Sequence, residues 1–296
     1  MKKWTLFLSL YFCLCLALGG CAGAGGPAPS PEQASSVVPA PEPAASVMWC
    51  GPKVGGSSAE AVDEGPWIVT CRVVAERDGE VVLAEFGEAA VSVYTVTPES
   101  GTEGLRPGQL VNVEHRAMTE AWPMGFGPET KLEVLDYGFD DRCALYLQVL
   151  EDLWNEDAGL NSGVEEIGVD LSRTSLTPAE RSAVAWAFAA AHGAGLVEGT
   201  LQQLMEDGHI SAEPLVISGS GLEPEEPKHY FYDWKNGCHY SITEQEMEGT
   251  YSLTPVTFDA QKWRTSLGAY YYCGCTALQS ARGEWSGYTV GAHAIS

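Results

Sequence analysis

Positive charge is what this chain has least of: 16 Lys and Arg stand against 40 Asp and Glu in 296 residues, a formal charge of −24. A phosphate backbone is gripped by clustered cations, so nucleic-acid binding is excluded. A polybasic grip on anionic lipid falls with it. Several catalytic signatures are missing too. There is no His-Glu-x-x-His, no Gly-x-Ser-x-Gly, no P-loop and no Cys-x-x-Cys. Gly219-Ser220-Gly221 runs into Leu222-Glu223-Pro224 and fails the dinucleotide pattern. No run beyond the first 20 residues is long and apolar enough to cross a bilayer, and no internal repeat is seen. The six histidines form no legible triad, although spacing alone does not reveal one.

What is present reads as a folded chain, 45% hydrophobic, with length enough for one or two sizeable cores. It begins with Lys2 and Lys3, an apolar stretch over 6–18, and then Leu18-Gly19-Gly20-Cys21. This segment resembles a bacterial lipoprotein signal, whose lipobox ends in cysteine. The resemblance implies cleavage after residue 20, acylation of Cys21 and a mature protein lipid-anchored on the extracytoplasmic face of the cell membrane. Residues 21–47, rich in Ala, Pro, Gly and Ser, bury too little apolar surface to offset their ordering entropy and read as a disordered linker. Loss of Lys2 and Lys3 makes the mature chain more acidic still.

Residues 48–140 carry a β pattern. Alternation over 67–74, a turn at Asp78-Gly79, and short runs at 80–86, 90–96, 110–115 and 131–135 predict five strands in a small barrel or sandwich. The stretch from Leu105-Arg106-Pro107-Gly108 to Glu120-Ala121-Trp122-Pro123 looks like the OB-like domain of small lipoproteins from Gram-positive bacteria. Such folds often bind oligonucleotides or sugars, but six basic residues against sixteen acids here give the wrong sign for nucleic acid.

From residue 141 the period changes. Helices are expected over 143–154, over 181–192 behind the capping box Thr177-Pro178-Ala179-Glu180, and over 200–207. Strands are expected at 230–234 and 238–243, joined by an Asn236-Gly237 hairpin, and at 251–258, 269–276 and 285–295. The fold class expected is therefore α+β overall: a small all-β, OB-like barrel domain, then an α+β domain (141–296) with helices packed on an antiparallel sheet. A nuclear-transport-factor-like or cystatin-like cone would fit that order of elements. The block from Phe258 to Tyr270 and the ending from Trp285 resemble a domain of other bacterial envelope proteins, a likeness that implies no activity.

Six cysteines remain beyond Cys13, Cys15 and Cys21. Outside the cytoplasm they are disulfide candidates or buried free thiols. Cys50 could staple to Cys71. Cys273 and Cys275, two apart on a strand, would face one side and reach Cys238 if their strands were neighbours. A zinc site from Cys238, His239, Cys273 and Cys275 is disfavoured because alternation sends Cys238 and His239 to opposite faces. The aromatic surplus of the last third reads as sheet packing or as a groove for glycan or peptide. Lys262, Trp263 and Arg264, rare cations around a ring, are the candidate ligand contacts, with a structural ion pair or cation–π contact as the alternative. Acid runs such as 223–226 read as solvated loops.

The function expected is a lipid-anchored binding or accessory module of the cell envelope, with a glycan, peptide or protein partner and no implied cofactor. Two alternatives stand beside it: an envelope hydrolase with a scattered acid/His site, and a structural or assembly subunit.

Overall fold

The computed structural model describes residues 66–99, 101–215, 229–245 and 255–296. Cys21, Cys50, the acid run 223–226 and the first half of the strand expected at 251–258 lie outside them. The described residues belong to one compact unit. The first sheet holds β1 (Trp67–Arg77), β2 (Glu80–Glu85), β3 (Val93–Val96), β4 (Leu110–His115), β5 (Met124–Gly125) and β6 (Lys131–Val134), in the order β5-β3-β2-β1-β4-β6. Its pairs are antiparallel except β3 with β5. Asp78 (φ 53) and Gly79 (φ 85) make the tight β1–β2 turn that an Asp-Gly step favours.

The second sheet is larger. After α1 (Arg142–Asn155) come β7 (Glu166–Arg173), α2 (Pro178–Ala191), β8 (Gly195–Glu198), α3 (Leu201–Glu206), β9 (Ser211–Pro214) and β10 (Tyr230–Asp233). Then follow β11 (Gly237–Glu244), β12 (Val256–Thr265), β13 (Gly268–Gln279), β14 (Trp285–Thr289) and β15 (Ala292–Ile295). The main order is β14-β13-β12-β11-β7-β8, with β15 beside β13 and the β9–β10 pair beside β12.

This corrects the expected fold class. Among the described residues 45% are in strands and 18% in three helices. The first sheet is open, ending at β5 and β6, so it is not a closed OB-like barrel. The second is mixed, because β11, β7 and β8 run parallel. Nor do the helices simply rest on one antiparallel sheet. One core cluster joins Val74, Val82, Ala84 and Val93 of the first sheet to α1 and α2, and these to Val169, Tyr240, Phe258 and Tyr272 of the second. The two helices are thus filling between two sheets. That explains α2, where Ala179, Ala183, Val184, Ala185, Ala187, Phe188 and Ala189 are all buried. A helix apolar over most of its surface needs cover on more than one face.

The Asn236-Gly237 hairpin is a second correction, since β10 pairs with β9 and β12 and not with β11. Glycine is needed at 237 for space: a Cβ there would sit 2.0 Å from Cε2 of Trp234. A third concerns β13. Gly274 (φ +61) bulges the strand, so that Phe258 faces Cys275 while Ala260 faces Tyr272. Tyr272 and Cys275 consequently share the core face, and Cys273 does not point with Cys275.

Candidate functional site

The residues singled out for ligand contact are spent on the fold. Lys262 is fully buried, and its Nζ donates to the carbonyls of Trp154 (3.1 Å), Glu156 (2.7 Å) and Asp157 (3.2 Å), at and just beyond the end of α1. Burial lowers its pKa. Arg264 donates to the carbonyls of Leu160, Ser162 and Lys235. Trp263 packs on the opposite face with Leu204, Trp234 and Ala269. Neither cation is in an ion pair among the described residues, but Lys262 Nζ lies over the Trp154 ring, 6.0 Å from its centroid, the cation–π contact considered as the alternative; both cations tie the α1–β7 connection to β12.

The cysteines are not brought together either. β12 separates β11, with Cys238, from β13, with Cys273 and Cys275. Two strand spacings amount to roughly 9–10 Å, beyond the Cα separation of about 7 Å that a disulfide tolerates. Cys71, Cys143, Cys238, Cys273 and Cys275 are free thiols. Burial pushes Cys238 up to about 11 and Cys275 up to about 12, so neither is a ready thiolate. The last-third aromatics mostly pack: Trp234, Tyr240 and Tyr272 are buried, and the Tyr272 and Tyr288 hydroxyls donate to Glu156 (3.2 Å) and Asp152 (2.7 Å).

A site lies instead where the sequence was read without strands, between β7 and β8. In β7, Ile167, Val169 and Leu171 face α2. Gly168 lies on the other face, where an added Cβ would meet Trp234, His239 and Leu204 of α3. The chain leaves β7 for α2 on one face, and leaves the adjacent parallel β8 for α3 on the other. Such a reversal opens a crevice at the carboxyl ends of the two strands, the place where open parallel sheets take ligands. A cavity of ≈ 220 Å³ lies there, its polar lining made by Asp170, Ser172, Arg181, Glu198, Thr200 and Gln203.

Each wall is held by its own sequence chemistry. The capping box starts α2: Glu180 N donates to Thr177 Oγ1 and Thr177 N donates to Glu180 Oε2. This sets Arg181 in the first turn, with Nη1 donating to the Leu176 carbonyl at 3.0 Å. Thr200 and Gln203 cap α3 reciprocally. Asp170 accepts from Ser172 N (2.9 Å) and Glu198 from Ser182 Oγ (3.0 Å). Gly199, at φ +150, donates to the Val169 carbonyl at 3.1 Å and its own carbonyl faces His239 Nε2 at 3.0 Å.

Opposite charges line this crevice without closing on one another. Among the described residues no carboxylate lies within ion-pair distance of Arg181. The lining holds no cysteine, histidine or lysine. Among the described residues no cluster of three His, Cys, Asp or Glu could hold a metal. No family model, curated protein or solved structure matches the chain.

His239, beneath Gly199, makes the site's support sensitive to acid. Burial lowers its pKa, opposed by the Gly199 hydrogen bond and the charge of Asp170, and its Nδ1 has no partner. His115, also buried, is lowered for the same reason. Below about pH 6.5 the unfolded imidazoles take protons that the folded ones resist, so stability is full above that value and declines as pH falls toward the depressed folded pKa. Thermal midpoints recorded from pH 8 to pH 5 should fall below pH 6.5, and His239→Gln should flatten the slope. An unchanged slope in that variant rejects the assignment.

Proposed function

We propose that this is a lipid-anchored extracytoplasmic binding protein whose β7–β8 crevice holds a small ligand carrying both signs of charge, such as a free amino acid or the end of a short peptide. The observation that carries the reading is that Arg181, Asp170 and Glu198 line one cavity and are left unpaired with each other. A carboxylate would lie on the guanidinium and an ammonium between the two acids. At ≈ 220 Å³ the space is smaller than the roughly 300–1,000 Å³ of sites for drug-sized molecules. The anchor rests on the resemblance at Leu18–Cys21. No described helix is long and apolar enough to cross a membrane; in this reading acyl chains on Cys21 hold the protein there.

Calorimetric titration of the mature chain with free amino acids and dipeptides should show binding that is lost when the amine is acetylated or the carboxylate amidated. Arg181→Met should weaken it by about tenfold to a hundredfold, the loss of a hydrogen bond to a charged group at about 1.5–3 kcal/mol. Equal binding of the blocked analogues, or no binding by any zwitterion, rejects the crevice. The anchor has its own check. Cys21→Ala should abolish incorporation of labelled fatty acid and either release the protein from membranes or leave its signal uncleaved; unchanged processing and membrane retention refute it.

A further inference from the structure

Thirteen large hydrophobic side chains are exposed among the described residues, and six of them crowd one end of the first sheet. Trp67 (53% exposed) and Ile68 (64%) begin β1. Trp67 pairs with His115, the last residue of β4. The chain then turns through Met118 (52%) and Trp122 (53%), and Met118 returns against Phe126, whose ring lies 4.6 Å from that of His115. The β2–β3 loop emerges at the same end, because Phe86 N donates to the Thr70 carbonyl. It adds Phe86 (50%) and Val91 (67%). Scattered exposed apolar residues need no explanation, but a gathered set does.

Where the preceding chain arrives decides what covers them. It enters β1 at Trp67, in the middle of this cluster. On the lipid-anchor reading, on which this inference rests, about 45 residues separate Cys21 from that point, and the disordered linker expected over 21–47 would by itself span roughly 25–30 Å as a coil. Confinement within that distance corresponds to millimolar effective concentrations, so a weak apolar contact suffices. Indole rings prefer the interface between headgroups and acyl chains. We propose that this end of the sheet, led by Trp67, Ile68, Met118 and Trp122, docks on the lipid surface to which the chain is tethered. Glu88 and Glu120 are exposed around these tips, with Arg116 as a cation beside them, so the contact is chiefly apolar and weakly opposed by anionic headgroups, with salt relieving the opposition.

The test does not need the acyl anchor. Residues 21–296 with an N-terminal hexahistidine, held on phosphatidylcholine vesicles by a nickel-chelating lipid, reproduce the tether whether or not Cys21 is lipidated in the cell. Amide exchange should slow at least tenfold in segments 87–91 and 119–123 relative to the free protein. The slowing should vanish in the Trp67→Ser/Trp122→Ser chain and persist in Leu267→Ser, which alters a side chain 78% exposed on the second sheet. Phosphatidylglycerol should weaken the effect at low salt. Unchanged exchange at this end, or slowing that grows with protein concentration without vesicles (the mark of self-association), overturns the proposal.

Discussion

Methionine in place of Lys262 should lower stability by about 2–4 kcal/mol, which for a chain of this size means a melting temperature down by roughly 5–15 °C. Two effects oppose each other. Burial disfavours the ammonium, as its lowered pKa shows, so an apolar side chain of similar length relieves a desolvation cost. Against this, three carbonyls lose a donor. Trp154 O keeps Asn161 Nδ2 at 2.7 Å, and Asp157 O keeps Leu160 N at 3.0 Å. The Glu156 carbonyl keeps no other donor among the described residues. The one orphaned acceptor costs about 1–3 kcal/mol and the other two carbonyls each give up a bond from a charged donor, losses that together outweigh the relief. Urea denaturation of Lys262→Met should show the midpoint shift at unchanged slope. A loss under about 0.5 kcal/mol would mean that water reaches these carbonyls as well as the lysine does.

Alanine at 237 should be nearly as damaging, at about 3 kcal/mol or more. Its Cβ would lie 2.0 Å from Cε2 and 2.3 Å from Nε1 of Trp234, a side chain with no exposure whose indole donates to Glu166 at 3.2 Å. Nothing short of displacing the ring makes room. A double-mutant cycle isolates the cause. Trp234→Ala alone should cost about 3–5 kcal/mol, and adding Gly237→Ala on that background should cost little more. Additive losses would place the requirement for glycine in the backbone and not against the ring.

This glycine shows what could and could not be read from residues alone. Turn and cap chemistry is local, so Asp78-Gly79 and the Thr177–Glu180 box are legible and are found in place. Asn236-Gly237 carries the same local signature, yet the cause of its glycine is a ring from outside the step itself. The two parallel strands that make the site were missed. Ile167, Val169 and Leu171 do alternate with Gly168, Asp170 and Ser172, a signal that was available, but β8 has only four residues. Arg181, Asp170 and Glu198 are brought together by a crossover, which leaves no spacing to recognise. Lys262 and Arg264 were rightly singled out as unusual in an acidic chain. Their partners are main-chain carbonyls, and these carry no trace in the order of side chains.

The helical filling has a consequence for dissecting the molecule. Since α1 and α2 bury side chains toward both sheets, a fragment ending before α1 would bare Val74, Val82 and Val93, and one starting there would bare the other side of the same helices. Neither piece is a self-sufficient body. A protease cutting the β6–α1 connection should therefore give two bands on a denaturing gel but one particle in gel filtration, held together by the layer both halves share.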